Sequence, residues 1–165
     1  MPSSRTCLAA ALLLLCGGAV QAQPEQTGWG SGYQMGTFYA GVSSGGVRLT
    51  FYCGDAAAAK ANAAIKAGPY LMASLPRRDA ADGIRSLEIL IDGKAIRIPV
   101  TARSAGNMVE LTWEPNRRFG VDSMRPVVQE LRRAGTLSLR AGVEARALPT
   151  AGAAEALAED PLGCR

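Results

Sequence analysis

The chain has 165 residues, is 48% hydrophobic, and carries 18 basic and 14 acidic side chains for a net charge of +4, with four cysteines and no histidine. That size suits a single domain with its own core, and the arginine pairs Arg77-Arg78, Arg117-Arg118 and Arg132-Arg133 are scattered, which argues against a nucleic-acid surface. Without histidine, a Ser-His-Asp or Cys-His nucleophile system and a His-ligated zinc site are excluded.

Residues 1–22 read as a secretory signal peptide: Arg5, an apolar run from Leu8 to Leu15, then Val20-Gln21-Ala22 with small residues three and one before the cut. The run stops at Gly17-Gly18, well short of the roughly 20 residues that cross a bilayer, so no transmembrane segment is expected after cleavage. Lipidation at Cys16 is the competing route, but Leu15 puts a bulky side chain where that peptidase needs a small one. Cleavage of 22 of the 165 residues leaves 143 and removes Arg5, lowering the net charge from +4 to +3. Fifteen arginines against three lysines and heavy alanine use suit a GC-rich bacterial genome, making the destination periplasmic or secreted.

Residues 23–32 are rich in Pro, Gly, Gln and Ser without periodicity and are expected to form a flexible lead-in, with a single α+β domain over 33–165. Met35 to Val42 and Val47 to Cys53 predict two strands joined through Ser43-Ser44-Gly45-Gly46, with Val47, Leu49 and Phe51 inward and Arg48, Thr50 and Tyr52 toward water. Asp55 predicts the cap of a helix over 56–67 that Gly68-Pro69 stop, and residues 76–83 predict an exposed loop. Asp92-Gly93 is a tight-turn pair that sets the register of a hairpin over 87–100, with Ile91 opposite Lys94, Ile89 opposite Ile96, Leu87 opposite Ile98 and Glu88 opposite Arg97. Val109, Leu111 and Trp113 alternate in another strand. Asp122 or Ser123 opens an amphipathic helix with Met124, Val127, Val128 and Leu131 on one face and Gly135 as its stop. Leu137 and Leu139 predict a short strand, and residues 151–158 a small terminal helix.

The expected fold is therefore α+β, an antiparallel sheet built from hairpins as a sandwich or partly open barrel, with two to three short helices and one disulfide. After cleavage Cys53 and Cys164 remain, and an oxidising compartment pairs them. Closing a loop of that size stabilises by about 4.7 kcal/mol in the chain-entropy description. There is no Cys-x-x-Cys, and no cofactor or metal site is read.

Gly41-Val42-Ser43-Ser44-Gly45 matches a nucleophile-elbow string, yet a strand follows it where the elbow needs a helix, so it reads as a hairpin turn. Gly28-Trp29-Gly30-Ser31-Gly32 lacks the third glycine of a phosphate loop and any βαβ context, and no Ser-x-x-Lys precedes Lys60, Lys66 or Lys94. Asp79, Asp82, Glu110 and Glu114 are the carboxylates from which a paired acid site would be drawn.

Six of the nine aromatic residues lie between residues 29 and 52, and Trp29, Tyr33, Tyr39 and Tyr52 form the candidate binding surface, with core packing as the competing reading. The last third has a helix ending Leu131-Arg132-Arg133-Ala134-Gly135, then Thr136-Leu137-Ser138-Leu139, then Gly152-Ala153-Ala154-Glu155-Ala156-Leu157 before Cys164. In these roughly 40 residues the chain resembles small bacterial periplasmic proteins of the invasion-associated locus B type, departing where Pro149-Thr150 replaces an apolar strand. The resemblance implies a β-rich envelope protein and carries over no catalytic residues. The expectation is an exported, non-enzymatic binding protein of the bacterial envelope, an accessory factor or inhibitor with an envelope or secreted protein as partner. Competing expectations are a histidine-free cell-wall hydrolase using paired carboxylates and a structural envelope component.

Overall fold

In a computed structural model that describes residues 28–76, 83–143 and 145–164, strands β1 (Gly30–Gln34), β2 (Thr37–Ser44), β3 (Val47–Gly54) and β4 (Gly68–Pro76) follow one another, interrupted by helix α1 (Ala56–Ala61). Then come β5 (Ser86–Ile91), β6 (Lys94–Pro99), β7 (Thr101–Ala105), β8 (Met108–Trp113), α2 (Val121–Leu131), β9 (Leu137–Arg140), β10 (Ala145–Leu148) and α3 (Ala153–Ala156). The signal peptide, Cys16, the pair Arg77-Arg78, and Asp79 and Asp82 in the expected 76–83 loop lie outside the described residues.

Two antiparallel sheets result, one in the order β1-β2-β3-β4-β8-β7 and one in the order β10-β9-β5-β6. Their inner faces, together with α2 and α3, contribute to one hydrophobic core, so the fold is α+β and the sheets do not close into a barrel. Period-two alternation supplies the inner face: Val47, Leu49 and Phe51 on β3, Leu71, Ala73 and Leu75 on β4, and Val109, Leu111 and Trp113 on β8 are all buried. On the second sheet Leu87, Ile89, Leu137 and Leu139 do the same, and Met124, Val127, Val128 and Leu131 line the buried side of α2.

Hairpin geometry follows from turn chemistry. Gly45 and Gly46 have φ of +55° and +76°, and Asp92 and Gly93 have φ of +49° and +80°, the two consecutive positive-φ positions of a turn whose twist matches the strands. The 87–100 hairpin has the expected register at every position, Ile91 with Lys94 through Leu87 with Ile98. Glu88 faces Arg97 on one side and Arg140 of β9 on the other. Cys53 and Cys164 form the disulfide, with their α-carbons 5.2 Å apart, and it fastens the C-terminal segment to β3.

Several expectations are corrected. The lead-in is not flexible up to residue 32: β1 starts at Gly30, because the Met35-Gly36 pair at φ +49° and +81° makes another tight turn that folds these residues against β2. The first helix stops at Ala61 instead of Ala67, since its only large apolar residue, Ile65, gives a longer helix too little to pack. Asp55 does cap it, accepting the N–H of Ala58 at 2.7 Å. Gly68-Pro69 does not merely stop a helix but begins β4, fourth of six strands, where proline is tolerated because pairing with β8 starts only at Leu71 and leaves Pro69 paired on the β3 side alone. Helix α2 begins at Val121 after Gly120, ahead of the expected Asp122 or Ser123. The edge strands β7 and β10 carry no strong alternation and were not expected.

Candidate functional site

Strand pairing aligns the outward side chains of the six-stranded sheet in rows. One row runs Gly32, Tyr39, Tyr52 and Tyr70 across β1 to β4; the next runs Gly30, Gly41, Thr50 and Met72; a third runs Ser43, Arg48, Ser74 and Glu110. The face is aromatic toward one end and charged toward the other.

Glycines hollow this face. Gly30 and Gly41 are directly opposite each other and neither carries a side chain, so the sheet surface between β1 and β2 is bare backbone. A Cβ on Gly41 would lie 2.6 Å from Thr50 Oγ1 and 2.7 Å from the Leu49 carbonyl, and one on Gly32 would lie 2.7 Å from the Tyr39 hydroxyl. The Tyr39 ring therefore leans over Gly32, toward the sheet edge, a cross-strand aromatic-on-glycine pairing. The resulting concavity of about 250 Å³ has Gly30 and Gly41 on its floor with the buried Thr50, Tyr39, Tyr52 and Gln34 on one side, and Ser43 and Arg48 on the other. A second hollow of about 370 Å³ adjoins it past Arg48, reaching Ser74, Met108 and Glu110.

Arg48 shares its lack of an ion pair among the described residues with other exposed cations such as Arg117, Arg118 and Arg132, and differs from them in lining the hollow. Arg97 and Arg140 are paired with Glu88, Arg125 with Asp160, Arg133 with Glu130, and Arg103 with Glu110 at 2.6 Å. Arg48 is exposed and makes no ion pair or side-chain hydrogen bond among the described residues, although Glu110 lies in its row. A guanidinium with five donors free is ready for a planar anion. At the aromatic end Tyr52 stacks on Tyr70 with ring centres 4.9 Å apart, and Lys66 sits 5.0 Å above the Tyr70 ring while pairing with Glu114. Burial, with a smaller contribution from neighbouring Tyr52, pushes the Tyr70 phenol above its ordinary range. It remains a neutral hydrogen-bonding group at neutral pH.

The four residues of the expected binding surface are not brought together. Tyr39 and Tyr52 are adjacent partners on the outward face. Tyr33 pairs with Phe38, on the opposite face, and stands 67% exposed only because β1 is an edge strand. Trp29 is a correction: it is 7% exposed, its indole Nε1 donates to the Pro149 carbonyl at 3.1 Å and its backbone N–H donates to the Ala151 carbonyl at 2.8 Å. It clasps the C-terminal segment and belongs to the core.

Of the carboxylates considered for paired acid chemistry, Glu110 and Glu114 are held by different cations, Arg103 and Lys66. They are four residues apart on an extended segment, roughly 13 Å between α-carbons. No cluster of three or more His, Cys, Asp or Glu side chains that could hold a metal occurs among the described residues. No helix among them is long and apolar enough to cross a membrane.

Arg48 was legible as a water-facing residue from its alternation with Leu49. The glycine floor beside it was not, because its Gly30 half lay in residues that composition assigns to a lead-in. Among known proteins, the family model described as YfjT matches residues 27–157. No curated protein and no solved structure matches the chain.

Proposed function

The chain belongs to the YfjT family, and we propose that it is an exported, non-enzymatic binding protein of the bacterial envelope that recognises its partner through the outward face of the six-stranded sheet. The observation that carries this reading is Arg48: an exposed cation without an ion pair among the described residues, set beside Ser43 and across the glycine-floored hollow from Tyr39 and Tyr52 on one face. Tyrosine and arginine are the side chains that dominate binding energy where proteins meet, because they combine large contact area with directional donors. The partner class is an envelope or secreted protein, toward which this chain acts as accessory factor or inhibitor.

The test is affinity capture by residues 23–165, disulfide intact, from an envelope extract of the native organism, alongside the variant Tyr39→Ala/Arg48→Ala/Tyr52→Ala. The expected result is a saturable protein partner whose retention falls at least about tenfold with the variant, the loss of two or three interface anchors. Retention equal for both chains, or no partner at all, overturns the reading.

A further inference from the structure

We propose that the glycine-floored concavity beside Arg48 is a binding site for a carboxylate-bearing sugar of monosaccharide size. This goes beyond the protein partner inferred above, and it uses the same face for a different ligand class.

The size sets the first limit. At about 250 Å³ the hollow lies just below the roughly 300 to 1,000 Å³ of drug-sized pockets, so it admits one ring and not an extended ligand. Its existence depends on side chains that are missing: with any residue larger than glycine at position 41, the floor would be filled by a group pressing on Thr50. The walls set the chemistry. Tyr39 and Tyr52 offer aromatic surface and phenol groups, against which the C–H face of a pyranose can pack. Thr50, Ser43 and Gln34 carry groups that both donate and accept, which is what a ring of hydroxyls requires and what a purely apolar ligand would leave unsatisfied. Arg48 adds a planar donor fork whose complement is a carboxylate, and no acid among the described residues has taken that place. A bare inorganic anion would use Arg48 and leave the aromatic wall idle, while a neutral sugar would use the wall and leave Arg48 idle. A hexuronic acid uses both.

The probe is sodium glucuronate, titrated into the uniformly nitrogen-15-labelled mature chain with its disulfide intact and followed by amide chemical shifts, with glucose and sodium acetate as parallel titrants. Expected are saturable shifts centred on Gly30, Gly41, Ser43 and Thr50, with a dissociation constant on the order of 1 mM, as befits one small ring and one charged anchor. Glucose and acetate should each bind at least about tenfold more weakly. Arg48→Gln should weaken glucuronate about tenfold while leaving glucose unchanged; the side chain is exposed and holds no partner among the described residues, so the variant's amide spectrum reports that it folds.

No saturable shift up to roughly 20 mM glucuronate overturns the proposal. So does glucose binding as well as glucuronate, which removes the carboxylate, or acetate doing so, which removes the ring. Should glucuronate fail while capture of an envelope protein still depends on Arg48, the sugar site falls and the protein-recognition face stands.

Discussion

The carboxylate of Asp92 accepts the backbone N–H of Thr136 at 2.7 Å, and the backbone N–H of Asp92 donates to the Thr136 carbonyl at 3.1 Å. A residue whose local task is a positive-φ turn position thereby locks the β5–β6 turn to the entry of β9, and the same oxygen also accepts the N–H of Gly135 at 3.0 Å. Replacing Asp92 by Gly keeps the turn and removes the acceptor, so Asp92→Gly should lose about 1 to 2 kcal/mol in denaturant unfolding. Asp92→Asn, which keeps a carbonyl oxygen and tolerates positive φ, should lose less. Equal losses would mean that the clasp needs the carboxylate charge and not merely an acceptor oxygen.

The disulfide joins residues 111 apart in sequence. The double variant Cys53→Ser/Cys164→Ser should unfold about 2 to 5 kcal/mol more easily, measured as a shift of the urea midpoint at unchanged pH. Treatment of the native chain with reductant should reproduce that shift. A variant as stable as the native chain would mean the C-terminal segment is held by Trp29 and Leu162 without help from the cross-link.

Glu88 is held by Arg97 at 2.7 Å and by Arg140 on its other oxygen, with Arg140 Nε donating at 2.7 Å. The hydrogen bond from Arg97, then that from Arg140, hold its carboxyl below the ordinary value of 4.5. A carboxyl with a lowered folded pKa stabilises the fold above the unfolded value and loses that contribution as pH falls through the folded value. Glu88→Gln should therefore be less stable than the native chain at pH 7, and the gap should close as pH falls below 4.5. A gap constant from neutral to strongly acidic pH would assign it to packing.

Gly41→Ala places a methyl against Thr50 and the Leu49 carbonyl, contacts of 2.6 and 2.7 Å that backbone cannot relieve cheaply. Destabilisation of about 1 to 3 kcal/mol is expected, read by thermal unfolding. Gly83→Ala, which meets nothing within 4 Å, is the control and should be near neutral.

Trp29→Phe keeps an aromatic ring in the core and removes the donor to Pro149. It should cost about 1 to 2 kcal/mol and lower the protection of the Ala151 region in hydrogen exchange. Trp29→Ala, which also opens a cavity, should cost about 3 to 5 kcal/mol.

Much of the fold was written locally. The Asp92-Gly93 pair determined a hairpin register that holds at every position, because two consecutive positive-φ residues leave a chain only one way to turn. Alternation determined which faces of β3, β5 and β8 are buried, and helical spacing determined the inner face of α2. The Cys53–Cys164 disulfide was legible as the pairing of the two cysteines that lie beyond residue 22. What the tertiary structure decided lies where local signals conflict with packing: Gly68-Pro69 reads as a stop, yet hydrophobic burial of Leu71, Ala73 and Leu75 draws the segment into the middle of a sheet. Trp29 sits in a stretch whose composition suggests a loose tail, yet carbonyl acceptors of the C-terminal segment, Pro149 for its indole N–H and Ala151 for its backbone N–H, fix it in the core. The candidate site belongs to this second class. Gly30, Gly41 and Arg48 are far enough apart in sequence that only pairing of β1 with β2 and β2 with β3 sets them side by side, and no residue's own propensity carries that register.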